Sequence, residues 1–424
     1  MNFFSRSRTG KVLGGIAVVG VSALVLAGCA GSGGDTESSS AAPAGDDLAL
    51  KIGTALPQTG NLAFLGPPEE AGVAYAASQI NEVSADTGLT LDVVYGDSGD
   101  TDNKAYETEI PRLLGEDVSA IIGAASSGTS LQFIDQVVGA GVIQFSPANT
   151  SDAFTTYEDD GLYFRTAPSD VLQGEVLGNL IAEDGNQTLG LIVLNDSYGT
   201  GLAKYVTEAF EAAGGEVVAA PTYNTGDATF DAQISEVLAA DPDAIALITF
   251  DEVSTMLPSL FGQIPADKLY FVDGNLKNFA DAFPAGSLTG AKGTLPGLSI
   301  DSIADFTGEL DAFLEAEGTA ALEDYSYAAE SYDATILLAL AALAAGSTDS
   351  AAMAEKLMEV SGGSGEGETC SSYAECADII LGGGVADYDG ISGPITFDEV
   401  GDPTEASIGI YEFGEDNTYT AYMG

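Results

Sequence analysis

Residues 118–150 read VSAIIGAASSGTSLQFIDQVVGAGVIQFSPANT, and this stretch decides the fold class. Two short apolar runs, Val118 to Gly123 and Val142 to Phe145, flank Thr129 to Val138, whose apolar residues recur at helical spacing. Strand, helix and strand in that order make a βαβ unit, and strands so continuously apolar are covered on both faces. Each run ends in small polar residues, Ala124-Ala125-Ser126-Ser127-Gly128 and Ser146-Pro147-Ala148-Asn149-Thr150.

Outward from this unit the rhythm repeats. Strands are expected at Leu48 to Ala55, Leu89 to Tyr95, Leu189 to Leu194, Glu216 to Ala220, Ala244 to Phe250 and Leu269 to Val272. Helices are expected at Glu69 to Val83, Asn103 to Leu114, Val171 to Ala182, Thr200 to Ala213 and Phe230 to Ala239. Strands separated by helices of this length predict an α/β class with parallel sheets. The pattern restarts after Phe164-Arg165-Thr166-Ala167-Pro168, which predicts two similar doubly wound lobes. In the last third, helices at Ala328 to Ala345 and Ala351 to Val360 precede strands expected at Pro394 to Phe397 and Ile408 to Phe413, as in a chain returning to complete earlier sheets.

The 424 residues hold 12 Lys+Arg against 65 Asp+Glu, a formal charge of −53, and no His. Such a charge repels a phosphate backbone, so nucleic acid is not an expected partner. Without His there is no Ser-His-Asp or Cys-His catalysis and no His-ligated metal. Hydrophobic residues make up 45% and charged residues 18%, which marks a globular body rather than a disordered one.

Residues 1–28 carry Arg6, Arg8 and Lys11 and no acid, followed by an apolar run from Val12 to Ala27. This reads as a secretory leader, too short for a permanent span. It ends in Leu26-Ala27-Gly28-Cys29, which resembles the bacterial lipoprotein box. Cys29 is then the expected lipidation site, with acyl chains such as palmitate, and residues 29–47, rich in Gly, Ser and Ala, are a flexible tether. The expected location is the outer face of the cell membrane. Cys370 and Cys376, six positions apart, are expected outside the cytoplasm to form a local disulfide; two thiols holding a metal are the weaker alternative.

Asp86-Thr87-Gly88 and Asp97-Ser98-Gly99 match the aspartic-protease tripeptide but lie eleven residues apart, whereas paired catalytic aspartates come from separate lobes. Asp97, Asp100 and Asp102 hint at a calcium loop, yet the twelfth position holds Thr108 where a Glu is needed. No phosphate-binding glycine motif or nucleophile elbow follows a strand. No cofactor, metal or catalytic group is expected.

Ligands of open parallel sheets bind beyond the carboxyl ends of the strands. There, Ser126, Ser127 and Thr129 lead into a helix whose N-terminal amides and dipole favour an anion. The second half offers Asn195-Asp196-Ser197-Tyr198, Phe250-Asp251-Glu252 and Asp273-Gly274-Asn275. Anion donors on one side and carboxylates on the other suit a zwitterion, its ammonium facing Asp273. At any one of these ends a simple helix cap is an equally good reading. A hydrolase using Asp196, Asp251 or Asp273 with a lysine is a further alternative, but no nucleophile and base pair is visible.

These residues, in order, resemble the extracytoplasmic solute-binding proteins of branched-chain amino-acid ABC importers, the Leu/Ile/Val-binding type with the type I periplasmic-binding fold. The resemblance rests on Ile52-Gly53-Thr54, Pro57-Gln58-Thr59-Gly60, Gln79-Ile80-Asn81, Ile122 to Thr129, Ser146 to Thr150, Phe164-Arg165-Thr166, Tyr198-Gly199, Gly393 to Asp398 and Gly401-Asp402-Pro403. It implies two lobes, 48–167 with 299–390 and 168–298 with 391–424, joined by three crossovers near Pro168, Pro296 and Gly390. It also implies that Ser126 or Ser127, Ala148 and Thr150 hold a ligand carboxylate and that Asp273 takes the ammonium. Tyr198 would close from the second lobe, Phe64 would wall the side-chain pocket, and Phe250 and Asp251 mark another contact. The implied protein is a monomer that captures an amino acid or small amide and delivers it to a membrane permease. Presentation of ligand to a sensory receptor is the alternative.

Overall fold

The computed structural model describes residues 47–422. The leader, Cys29 and nearly all of the tether lie outside the described residues. Five strands, β1 (Leu48–Ala55), β2 (Leu89–Val94), β3 (Ala120–Gly123), β4 (Ile143–Ser146) and β5 (Tyr163–Arg165), form a parallel sheet in the order β2-β1-β3-β4-β5. A second sheet begins with β6 (Thr188–Leu194), β7 (Glu216–Ala219), β8 (Thr222–Tyr223), β9 (Ala244–Ile248), β10 (Leu269–Phe271) and β11 (Lys292–Pro296). Its parallel part, β7-β6-β9-β10-β11, repeats the strand order of the first. A small parallel pair, β12 (Glu368–Cys370) and β13 (Ala386–Tyr388), stands apart; β14 (Ile408–Phe413) then joins the second sheet antiparallel to β11, and β15 (Tyr419–Ala421) pairs antiparallel with β14 at its edge. The class is α/β, as the βαβ reading predicts.

The sheets are covered by α1 (Gly66–Glu82), α2 (Ser84–Thr87), α3 (Tyr106–Leu114), α4 (Ser127–Gly139), α5 (Asp170–Glu183), α6 (Ser197–Ala212), α7 (Asp231–Ala239) and α8 (Val253–Leu260). The last third adds α9 (Ala304–Ala316), α10 (Ala328–Ala345), α11 (Ser350–Val360) and α12 (Tyr373–Leu381). Central strands such as β9, AIALI, are buried at every position, as a sheet with helices on both faces requires. Every residue of α10 from Ala328 to Leu343 is buried, because a helix apolar all round has no face to give to water. It lies in one core with α1, α11 and strands of the first sheet.

Pro394 to Phe397 is not a strand. It makes only the isolated bridges Asp389 to Pro394 and Phe397 to Pro403, and a proline at one end of each withholds the donor a ladder needs. Past Gly390, where a crossover is expected, the chain still packs against the first sheet. Ile395 and Phe397 remain in its core, with Phe397 against Phe145 and Phe164, and the chain reaches the second sheet only at β14. Asp333 of α10 fixes this stretch: Tyr388 donates to it at 2.6 Å, the Ile391 and Ser392 amides at 3.0 and 2.7 Å and the Ser392 hydroxyl at 2.6 Å. Cys370 and Cys376 have Cα atoms 5.4 Å apart with sulfurs at bonding distance.

Candidate functional site

Both sheets reverse strand order beside their first strand, and crevices open there at the carboxyl ends. The loops after β1, β3 and β4 of the first sheet meet those after β6, β9 and β10 of the second around a small enclosed cavity. From the first sheet it is lined by Leu62, Leu65, Ala125, Ser126, Ser127, Ala148 and Thr150. Tyr198, Phe250, Asp273 and Gly274 face them, with Tyr327 reaching in from the start of α10. Seven residues that sequence reading singles out, Ser126, Ser127, Ala148, Thr150, Tyr198, Phe250 and Asp273, are thus brought to one place.

Two of the set are not. The Phe64 ring lies in a neighbouring groove of about 640 Å³ with Lys277 Nζ 5.6 Å from its centroid, and Leu65 takes the cavity wall instead. Asp251 is drawn away by an ion pair to Lys277 and a hydrogen bond from Ser254.

The hydroxyl side is built by capping and by loop-to-loop bonds. Ser126 caps α4, its Oγ accepting from the Thr129 amide at 3.2 Å, so Ser127 and Gly128 hold the helix's remaining first-turn amides. Ser127 Oγ accepts from the Thr150 and Ser151 amides at 3.3 and 3.2 Å, and Ser146 Oγ donates to Ala124 O at 2.7 Å. The hydroxyl oxygens of Ser126 and Ser127 thus shape the loops as acceptors, and each keeps its O–H to donate. The hydroxyl of Thr150 is buried, on the side of the Asp170 carboxyl.

The opposite side is acidic. Asp273, 5% exposed, accepts from Tyr198 (2.6 Å), Tyr327 (2.8 Å) and Gln173 (3.0 Å). Burial still pushes its carboxyl up, the three donors offsetting only part of the effect. The Tyr198 and Phe250 rings stack at 5.3 Å and give this side an apolar wall. One helical turn before Gln173 sits Asp170, fully buried behind the Thr150 loop, its amide donating to Thr150 O at 2.7 Å. Burial, and after it the charge of Asp273, push the Asp170 carboxyl well above its ordinary range. No lysine or arginine lines the cavity among the described residues. Asp273, a buried carboxylate with no base in the cavity lining, leaves the site short of a cation.

Leu62, Leu65, Asp170, Gln173 and Tyr327 escape sequence reading. Asp170 follows the cap residue Ser169 and looks like an ordinary first-turn acid. Tyr327, in the left-handed region at φ 61°, belongs to no motif; only the packing of α10 brings it here.

The lobes' worth of chain on either side of the cavity also touch directly. Asn61 donates to Glu252 (2.7 Å), Ser151 to the Ser197 carbonyl (3.1 Å), and Asp196, the cap of α6, stands with Oδ2 2.7 Å from where a Cβ on Gly128 would lie. Burial raises Asp196 to about 6.

Comparison with known proteins adds the following. The model of the periplasmic binding protein family matches residues 49–369. Over 190 residues the chain is 31% identical to the leucine-, isoleucine-, valine-, threonine-, and alanine-binding protein of Pseudomonas aeruginosa, a match covering 44% of this chain and 50% of that protein. It thus spans half the length of that relative. Over 355 residues it is 26% identical to the chemotactic signal transduction system substrate-binding protein BasB of Halobacterium salinarum, 82% of this chain and 83% of that one. The fold is similar to that of a leucine binding protein from Thermotoga maritima, with TM-score 0.69 and 20% identity over 88% of this chain and 97% of that one. A periplasmic binding protein type 1 from Bordetella pertussis gives 0.68 and 21% over 88% and 99%.

Proposed function

Because the chain belongs to the periplasmic binding protein family, a family of solute-binding proteins, we propose that it captures an amino acid, branched-chain or similar, or a small amide between its two lobes. It then delivers that ligand to the permease of an ABC importer. The observation that carries this reading is the polarity of the cavity: the Thr150 hydroxyl and helix amides on one side, the buried carboxylate of Asp273 with no lysine or arginine among the described lining residues on the other. A zwitterion fits both sides at once, its carboxylate near Thr150 and α4, its ammonium toward Asp273. The apolar walls of Leu62, Leu65 and the stacked Tyr198 and Phe250 suit an aliphatic side chain. Relatives named for binding leucine, isoleucine and valine support that class.

The Leu26 to Cys29 sequence supports a lipid anchor at the outer face of the membrane, and an extracytoplasmic setting supports a Cys370–Cys376 disulfide. A sensory role is the second reading; it is favoured by the match to BasB along most of both chains.

The test is thermal unfolding and calorimetry against amino acids, amides and sugars. A ligand bound only by the folded form at 100 times its Kd adds about 2.7 kcal/mol, several degrees in Tm. Leucine, isoleucine or valine should raise Tm, and Asp273→Asn should weaken binding at least about tenfold. A shift with sugars and none with any amino acid would overturn the assignment.

A further inference from the structure

Arg165, fully buried on the edge strand β5, grips Asp402 with both arms of its fork: Nε donates to Oδ1 at 2.6 Å and Nη2 to Oδ2 at 2.7 Å. Asp402 is 237 residues away in sequence, in the turn Asp398 to Asp402 that covers the open edge of β5. The Arg165 amide donates to Gly401 O at 3.1 Å, and Gly401 (φ 77°) cannot carry a side chain, since a Cβ would stand 2.4 Å from Tyr163 O.

The donors that Asp402 does not use point at the cavity loop. Nη1 donates to Ser151 O at 2.7 Å and, more weakly, to Asn149 O at 3.4 Å, the carbonyls on either side of Thr150. Nη2 also donates to Thr155 Oγ1 at 3.1 Å, and that hydroxyl donates to Asp402 Oδ2 at 2.6 Å. From Asn149 the network continues: its Nδ2 donates to Ala124 O and Ala125 O at 2.9 and 2.8 Å, and Tyr163 donates to its Oδ1 at 3.0 Å. Both hydroxyl loops are thus tied to one guanidinium, and Thr150 is suspended between the two carbonyls that Arg165 holds.

A buried ion pair contributes little net stability compared with apolar residues of like volume, so stability alone does not account for this one. What a bidentate fork does supply is a fixed plane and direction for its remaining donors. We infer that Arg165 and Asp402 are positioning residues for ligand recognition, setting the Thr150 loop from the far end of the chain. The inference rests on the cavity's being the ligand site.

The test separates positioning from stability. In the double variant Arg165→Met/Asp402→Leu, both charges leave together and the fold should keep its Tm within a few degrees. The Kd for whichever amino acid the unaltered protein binds should rise at least about tenfold. Hydrogen exchange in the unliganded protein should quicken at the amides of 149–151 and 124–127 while β3 and β4 keep their protection. Recovery of both affinity and protection would overturn the inference and leave the pair a structural element. Should the double variant not fold, Thr155→Val, which removes one bridging hydroxyl, is read in the same way; unchanged exchange at 149–151 would overturn the inference. Should the unaltered protein bind no amino acid, the functional reading fails, and the exchange measurement still decides whether the pair sets the loop.

Discussion

At the scale of single residues, Gly128 separates folding from binding. It sits in the first turn of α4, where alanine is the better helix former by up to about 1 kcal/mol. A methyl there would meet Asp196 Oδ2 at 2.7 Å, and Asp196 is not free to turn, since its other oxygen caps α6 through the Gly199 amide. Gly128→Ala should therefore keep or raise Tm while weakening ligand binding several-fold. Calorimetry beside a melting curve checks it, and unchanged affinity would mean that the two sides do not close on this contact. The hydroxyl loops around this residue are legible in the sequence because they follow strand ends, whose positions the apolar runs declare. Phe64 is misread by one place for a local reason: residues 61–65 form turns, and Leu65 has helical dihedrals, so neighbours point about 100° apart. Asp170 is legible as a first-turn acid but not as a buried one, since its burial depends on packing that no local pattern records.

Among the elements, α10 is the one on which the late part of the chain depends. Asp333 accepts four hydrogen bonds from residues 388–392, and Gly390 must be glycine because a Cβ would stand 2.5 Å from the same carboxylate. Asp333→Ala strands those buried donors and should cost about 3 kcal/mol or more, read by chemical denaturation. A loss under about 1 kcal/mol would mean that water replaces the carboxylate. The sequence declares α10 by its long, largely apolar run and β14 by its β-forming residues. It misleads at Pro394 to Phe397, where β-forming residues lie in a stretch whose path is dictated by Asp333 on one side and the Arg165 contact on the other.

For the whole molecule the consequence of so much acid is a stability that declines toward alkaline pH. Burial raises Glu330 to about 8 from an ordinary 4.5 and Asp196 to about 6 from 3.8, and Glu69, Asp170 and Asp273 move the same way. Each group keeps in the folded state a proton that the unfolded chain releases. Stability is therefore greatest below the unfolded values and falls as pH climbs from about 4 to about 8. Self-repulsion of a chain carrying −53 adds in the same direction. Melting at pH 5.5 and 8.0 at fixed ionic strength should give the higher Tm at 5.5; a flat profile would mean that cations already accompany the buried acids. Finally, α10 bears on how the chain reaches its compartment. By length and composition, with mean hydropathy 1.4, it could serve as a membrane span. A polypeptide threaded unfolded through a translocation channel would present it as a stop-transfer signal. Glu330 and Asp333 interrupt that signal: the acid-free remainder, Ala334 to Ala345, extends only roughly 18 Å as a helix, against a hydrocarbon layer of about 30 Å. In such a passage the carboxylate that anchors residues 388–392 in the fold would also keep α10 from halting the chain.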